Sequence, residues 1–206
     1  MSEVFVSSFA LLFVMIDPIG LTPMFAALTV GMPRAKRISV AARSVMVAGL
    51  ILLIFGLAGD AILTAIGVSL PAFRVAGGLM LLLIAIEMLF QKRAERREKN
   101  TDADPHDDPS VFPLATPLTA GPGAMATMIL LTAEHSGTLA EHVMVYGAAA
   151  CVLAICFATF ISTEFVEKIL QPTGIMVLSR LFGMLLGALA VQFIFDGLMA
   201  LLDRSI

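Results

Sequence analysis

One long apolar stretch of the sequence contains residues that a membrane-spanning helix seldom carries. The segment Asp17–Pro23, which reads DPIGLTP, interrupts an apolar run from Val4 to Val30. Asp17 lies thirteen residues into that run, which corresponds to about 20 Å along a helix and therefore to the middle of a bilayer core. A carboxylate at that depth costs about 2.5–3.5 kcal/mol even on a lenient insertion scale, so we expect it to have a function.

Two roles are open to this carboxylate. Asp17 can cap the helix that starts at Pro18, because Asp is a favoured N-cap residue. It can also bind a substrate ammonium group or carry a proton, as ionisable groups inside membranes commonly do. The two roles are compatible, and the sequence does not choose between them.

A second stretch, Thr116–Gly123, repeats the pattern with the sequence TPLTAGPG. The two prolines of each stretch are five residues apart, at 18 and 23 in the first and at 117 and 122 in the second. Proline and glycine free backbone groups from a helix, and such breaks survive in lipid only where protein, water or ligand satisfies those groups. We therefore predict that the two broken segments meet at a shared polar cavity and form a substrate site.

The predicted cavity has groups that suit a zwitterion. A helix that starts after a break offers free N–H groups and a partial positive charge to a substrate carboxylate, and glycines let that carboxylate approach the backbone. The predicted substrate-binding residues are Asp17, Pro18, Gly20, Thr22, Pro23, Thr116, Pro117, Thr119, Gly121, Pro122 and Gly123. The alternatives are that the prolines and glycines only kink structural helices and that the threonines bond to their own helix.

The rest of the chain must supply the elements that hold the two breaks in place. Of its 206 residues 59% are hydrophobic and only 14% are charged, whereas a soluble domain carries about a quarter charged residues. The apolar runs are continuous rather than alternating, which favours membrane helices over a β-barrel. We predict an all-α integral membrane protein with six transmembrane helices, at about residues 4–30, 41–64, 70–90, 111–133, 142–163 and 176–202.

The positive charges predict the orientation of these helices. With six crossings, eleven of the 13 Lys and Arg residues fall on one side, which we predict to be cytoplasmic, and both termini then face the periplasmic side. Five of these charges lie in a charged linker, residues 91–110. The linker separates a first three-helix unit, residues 1–90, from a second unit, residues 111–206.

The two three-helix units align with each other as an inverted repeat. The proline pair recurs at an offset of 99 residues, and Arg74 recurs as Arg180 at an offset of 106. Each arginine leads into an apolar run that ends on a polar residue, Glu87 in the first unit and Gln192 in the second. Three crossings per unit place the second unit upside down, and inverted repeats with broken helices 1 and 4 are typical of secondary transporters.

These four polar residues of the third and sixth helices are candidates for coupling or gating. Glu87 can carry a coupling proton. The alternative is that Arg74 and Glu87, which are about 20 Å apart along one helix and cannot pair directly, extend toward the two membrane surfaces.

Motifs of intramembrane enzymes are missing from the sequence. It has no His-Glu-x-x-His motif, no Gly-x-Gly-Asp motif, no Walker motif and no lysine inside a predicted span. We therefore predict no catalytic residue, no metal ligand, no cofactor and no nucleic-acid partner. Cys151 and Cys156 point to different faces of one predicted span and predict neither a disulfide nor a metal site. A channel or a noncatalytic membrane subunit is the competing class to a transporter.

Several motifs spread over nearly the whole chain resemble those of the MarC family of bacterial membrane proteins. They are Asp17–Gly20 with Pro23, Phe73–Gly78 leading to Glu87–Leu89, Pro113–Ala115 with Pro117 and Gly121–Ala124, and Arg180–Leu181 leading to Val191–Phe193 and Asp196–Gly197. The first motif of the family often carries Asn where this chain has Asp17.

The resemblance implies six spans in the bacterial inner membrane and kinship with the LysE-type amino-acid exporters. It also implies transport of small neutral amino acids such as glycine and alanine. A proton or a sodium ion is the candidate coupling ion, and the sequence does not choose between them. Export of other small molecules, including drugs, is the alternative. Neither the residues nor the resemblance predicts an oligomeric state.

Overall fold

The structure, a computed structural model, describes residues 2–90, 108–135 and 137–203. All regular elements in these ranges are helices: α1 (Ser2–Ile16), α2 (Pro18–Leu28), α3 (Arg34–Ala65), α4 (Leu70–Leu89), α5 (Ser110–Thr119), α6 (Pro122–Glu134), α7 (Leu139–Ile161) and α8 (Thr163–Asp203). Among the described residues, five helices are long and apolar enough to cross a membrane, with α1 and α2 taken together, and there are six when the bent pair α5–α6 counts as one span.

The boundary between α1 and α2 follows from the residue types at that point. Asp17 has φ 56° and ψ 64°, a left-handed conformation that ends α1 and that Asp tolerates better than most residues. Pro18 begins α2, where its fixed φ suits the first helical turn. One residue therefore separates two helices that together have the length of a single span.

Prolines also shape α5. Phe112 and Thr116, which precede Pro113 and Pro117, are extended rather than helical, with φ/ψ of −126°/127° and −135°/129°. The residue before a proline is pushed out of the α region, so α5 cannot be a regular α-helix. Its hydrogen bonds instead join residues five apart, as from the Ala120 N–H to the Ala115 carbonyl. The axis then bends by 56° into α6.

The predicted spans match the helices in order, and two boundaries differ. α3 begins at Arg34, before the predicted start of the second span at residue 41. The basic residues Arg34, Lys36 and Arg37 therefore lie in the first turns of α3. At 32 residues, α3 is about 48 Å long and extends beyond an apolar core of about 30 Å. α8 begins at Thr163, with a break in helical geometry at Gln171 before its apolar part. Most of the charged linker, residues 91–107, lies outside the described residues.

Helices α4 and α8 pack with their backbones almost in contact. A Cβ added to Gly78 would lie 2.9 Å from the Ala190 carbonyl oxygen, and one added to Gly183 would lie 3.1 Å from the Ala85 carbonyl oxygen. Lipid gives helices no hydrophobic reason to associate, so close approach through small residues is their main means of packing. Residue numbers rise along α4 as they fall along α8, which makes the pair antiparallel.

Three ion pairs relate the helix ends to one another. Arg43, in the first third of α3, pairs with Asp108 just before α5. At the opposite end, Arg74, which follows the α3–α4 turn, lies 3.9 Å from Glu134 at the end of α6. The bent pair α5–α6 therefore runs along the length of α3 rather than turning back on itself. Arg37 pairs with Glu164, which joins the starts of α3 and α8 at 3.2 Å.

The pair between Arg43 and Asp108 is intact at neutral pH. Burial acts to raise the pKa of Asp108, but hydrogen bonding from Ser110 and the Arg43 charge outweigh it, so the pKa falls below its ordinary 3.8. A carboxyl with a lowered pKa stabilises the fold above its unfolded pKa and loses that effect as pH falls through the folded value.

If α5–α6 crosses the membrane, Ala35 and Gly137 lie on opposite sides of it. We expect Ala35→Cys and Gly137→Cys, each in a Cys151→Ala/Cys156→Ala background, to react with an impermeant thiol reagent from opposite faces of membrane vesicles. Labelling of both cysteines from the same face would show that α5–α6 is a re-entrant loop.

The α4–α8 contact predicts opposite effects for two glycines of one helix. Gly183→Ala should lower the stability by about 1–3 kcal/mol, because its Cβ would lie 2.9 Å from Met88 Cβ and close to the α4 backbone. At Gly187 the nearest atom, Ala85 Cβ, is 3.7 Å away, so Gly187→Ala should be neutral or stabilise by up to about 1 kcal/mol through helix propensity. In a Cys151→Ala background, which removes the exposed thiol, thermal unfolding in detergent followed by a thiol-reactive dye that reports exposure of the buried Cys156 measures both. Equal midpoints for the two variants would contradict the tight contact.

Candidate functional site

Asp17 is a buried carboxylate that caps a helix in the membrane-spanning part of the chain. Asp17 is only 2% exposed, and its Oδ1 accepts a hydrogen bond of 3.0 Å from the Gly20 N–H. A Cβ added to Gly20 would collide with this carboxylate. The Asp-Pro-x-Gly motif therefore has a local reason: Asp caps, Pro begins the helix and Gly leaves room for the cap. Capping is one of the two roles that the sequence left open for Asp17.

The carbonyl of Pro18 is a second polar centre at this break. It accepts hydrogen bonds from the hydroxyls of Thr22, at 3.1 Å, and Thr159, at 3.4 Å. Pro23 has no N–H, so α2 also lacks the donor that would bond to the carbonyl of Ile19. Thr22 thus bonds within its own helix. The Thr159 hydroxyl also donates to the Cys156 carbonyl of α7 at 2.9 Å, so its longer contact with Pro18 is the weaker of its two bonds and reaches from α7 to α2. The sequence analysis did not identify Thr159, because the predicted span 142–163 has no proline or charged residue that would indicate a site there.

The second break leaves the start of α6 without a side-chain cap. α6 begins at Pro122, and Gly121 precedes it with extended backbone and no side-chain hydrogen bond to the helix. The Thr119 hydroxyl donates to the Leu114 carbonyl at 2.8 Å. A Cβ added to Gly121 would lie 2.5 Å from the Pro117 carbonyl oxygen, so this glycine accommodates the end of α5.

The two breaks lie close to each other in the structure. A Cβ added to Gly123 would run into the methyl group of Met15 and would lie 2.7 Å from Cδ1 of Ile84. Met15 is two residues before Asp17, so the start of α6 packs directly against the end of α1. Ile84 brings α4 to the same point. The sequence did not single out Met15 or Ile84, because both are ordinary members of apolar runs.

The remaining predicted binding residues differ in burial. Pro18 and Thr22 are buried, Pro23, Thr116 and Pro117 are half-buried, and Pro122 is exposed. Both glycines of the second break face protein atoms rather than open space. In this structure the small size of these two glycines therefore allows close packing.

The four coupling or gating candidates have different surroundings. Arg74 is paired with Glu134, a partner that the sequence did not reveal. Glu87 is half-buried and lies one turn after Ile84 on α4, and Arg180 is exposed. The side-chain amide of Gln192 donates to Asp196 at 2.8 Å on the exposed side of α8.

Several hydroxyls are buried in the bundle without a hydrogen-bond partner among the described residues. They belong to Ser8, Ser44, Ser110, Thr127 and Tyr146. In the same described part of the chain, no group of three or more His, Cys, Asp or Glu residues is arranged to hold a metal ion. Cys151 is exposed and Cys156 buried, and neither is in a disulfide.

Comparison with known proteins gives a family match over almost the whole chain. The profile described as "MarC family integral membrane protein" matches residues 2–202. A UPF0056 membrane protein of Methanocaldococcus jannaschii is 37% identical over 198 residues, which cover 95% of this chain and 96% of the relative. UPF0056 membrane protein YvbG of Bacillus subtilis is 34% identical over 92% of both chains, and YhcE of Escherichia coli K12 is 32% identical over 91% of this chain and 88% of its own.

These relatives come from both Bacteria and Archaea, and their names describe membrane proteins without stating a function. No solved structure matches the chain. The length and apolar character of the helices agree with the family description. The chain belongs to the MarC family of integral membrane proteins.

Proposed function

We propose that the chain is a secondary transporter of small neutral amino acids, such as glycine and alanine, and that the substrate binds where the two breaks meet. The observation that carries the proposal is the contact between Gly123 and Met15, since Met15 is two residues before the buried Asp17 and Gly123 lies in the first turn of α6, which has no side-chain cap. A carboxylate and a helix N-terminus side by side are complementary to the two charges of a zwitterion.

The chemistry of each half of this site suits one end of an amino acid. A carboxylate has about four acceptor positions, so capping of the Gly20 N–H leaves Asp17 with capacity for an ammonium group. The first N–H groups of α6 would accept the substrate carboxylate. The walls between them, Met15 and Ile84 against Gly123, limit the space, which favours a substrate with little or no side chain.

An inverted repeat would relate the two halves, with α1, α2, α3 and α4 corresponding to α5, α6, α7 and α8. The pattern of helix contacts supports it. When the halves are exchanged, the α1–α7 contact becomes α5–α3, α2–α7 becomes α6–α3, and α2–α8 becomes α6–α4, and all of these contacts are present. The α3–α7 and α4–α8 contacts map onto themselves.

The direction of the self-mapping pairs supports the same symmetry. Gly49 lies beside Leu153 and Gly56 beside Tyr146, so α3 and α7 are antiparallel, as α4 and α8 are. A two-fold axis in the membrane plane makes each helix antiparallel to its counterpart, which is the arrangement of many secondary transporters. The two breaks then correspond, although the helix restarts at the first proline in one half and at the second in the other.

The orientation and energy source form part of the proposal. The side that carries Arg34, Lys36 and Arg37 is the cytoplasmic side of the cell membrane, because short basic loops stay inside, and the N-terminus is then outside. A proton or sodium ion would drive transport, with Asp17 or Glu87 as the group that binds it.

Asp17→Asn separates the charge of Asp17 from its capping role. Asn also caps helices and also tolerates left-handed backbone, so the fold should keep its thermal midpoint. Uptake of labelled glycine or alanine into proteoliposomes should fall about tenfold or more in kcat/KM, because a charge-assisted hydrogen bond to the ammonium group is lost. Asp17→Ala is the control, and it should lose about 1 kcal/mol of stability as well, since it removes the cap.

Two results would count against the proposal. The first is that wild-type protein binds no amino acid in a thermal-shift screen and takes none up. This result would show that amino acids are not the substrate. Normal uptake by Asp17→Asn at every pH would remove the charge of Asp17 from the mechanism and leave it as a cap.

A further inference from the structure

Two of the unpartnered hydroxyls lie on the two helices that meet at the proposed site. Ser8 belongs to α1 and Thr127 to α6, both residues are 0% exposed, and neither hydroxyl has a hydrogen-bond partner among the described residues. A buried hydroxyl without a partner costs about 1–3 kcal/mol. Alanine in place of Ser8 and valine in place of Thr127 would be similar in size and would avoid that cost. The presence of the two hydroxyls therefore needs a reason.

Helical spacing puts Ser8 and Thr127 on the faces of α1 and α6 that meet at Met15 and Gly123. Met15 contacts Gly123 across the boundary between the two helices, and Ser8 is seven residues before Met15, two turns away on the same face of α1. Thr127 is four residues after Gly123, one turn away on the same side of α6. We call this boundary, from Ser8 and Thr127 to Met15 and Gly123, the α1–α6 seam.

The two hydroxyls lie on the same side of the Met15–Gly123 contact. Residue numbers rise together along α3 and α6, as Gly56 with Met128 and Gly59 with Ile129 show, so these helices are parallel. α1 runs parallel to α7 and therefore antiparallel to α6. Ser8 and Thr127 are thus both displaced toward the N-terminal side of the protein, by about 10 Å and about 6 Å along their helices.

Neighbouring hydroxyls show that the local helix does not force this state. Ser7 donates to the Glu3 carbonyl at 2.8 Å, and Thr132 donates to the Met128 carbonyl at 2.8 Å, which is how such residues usually satisfy themselves in a helix. Ser8 and Thr127, on the same two helices, make no such bond. The seam ends at the methyl group of Met15, a flexible side chain that can move away from Gly123.

We propose that the α1–α6 seam is the route between the N-terminal side of the membrane and the paired breaks, and that the Ser8 and Thr127 hydroxyls bind the polar groups of the amino acid as it passes. A hydroxyl both donates and accepts, so each can serve the carboxylate or the ammonium group. The seam is closed in this structure, and transport requires that α1 and α6 separate at Met15. This inference rests on the proposed transport function.

Matched substitutions test the role of the two hydroxyls. Ser8→Ala and Thr127→Val should each lower kcat/KM for amino-acid uptake about threefold to tenfold, while the thermal midpoint stays the same or rises because an unpaired buried hydroxyl is gone. Ser7→Ala and Thr132→Val, which remove satisfied hydroxyls on the same two helices, should leave uptake unchanged. Wild-type uptake in Ser8→Ala and Thr127→Val would overturn the role of the hydroxyls and leave them as sites of trapped water only.

Cysteine labelling tests the opening of the seam without reference to any substrate. In the Cys151→Ala/Cys156→Ala background, Ser8→Cys and Thr127→Cys should react with a small impermeant thiosulfonate applied from the N-terminal side. Ala48→Cys, at a position in α3 that is also 0% exposed, should stay unreactive.

The two experiments separate failure of the inference from failure of the proposed function. Cysteines at 8 and 127 that are as inert as the one at 48, in a protein that does transport amino acids, would overturn the seam as the route. Reactive cysteines in a protein that transports no amino acid would support the seam as a route and remove the proposed substrate.

Discussion

The structure depends on how backbone polar groups are satisfied where a helix stops inside an apolar layer. No water is available there, so each free N–H or C=O must find a partner in the protein or a ligand. At the first break, the Asp17 carboxylate accepts from the Gly20 N–H, and hydroxyls of two helices donate to the Pro18 carbonyl. At the second break, hydrogen bonds between residues five apart satisfy carbonyls of α5, as from the Ala120 N–H to the Ala115 carbonyl. No side chain caps α6. The two breaks therefore differ, because a side chain caps the helix after the first break and none caps the helix after the second.

Glycine contacts divide the bundle into a rigid part and a part that can move. Gly78 and Gly183 bring the α4 and α8 backbones together, where neither side can yield. Gly123 and Gly59 in contrast face side chains, the Met15 methyl and Ile129. Side-chain contacts of this kind can re-form in another arrangement, whereas backbone contacts hold their geometry.

Polar residues at membrane depth fall into two classes in this chain. Thr132 and Ser7 bond to carbonyls of their own helices and have no need of a further partner. Asp17 also bonds locally, but as a carboxylate it keeps capacity for a cation. Ser8 and Thr127 bond to nothing in the described structure. The unsatisfied groups therefore indicate function more clearly than the proline and glycine residues do.

Much of the fold could be predicted from the sequence, because continuous apolar runs, the Asp-Pro-x-Gly motif and the paired prolines act through local chemistry. The helical class, the order of the spans and the interruption at Asp17 are of this kind. The partners across helices are not, since apolar residues at similar depth look alike in a sequence. Only the tertiary structure paired Arg74 with Glu134, placed Met15 and Ile84 on Gly123 and brought Thr159 to Pro18. Whether a buried hydroxyl bonds to its own helix or faces a neighbour depends on its rotamer and on the helix packed against it, and these are decided when the helices assemble.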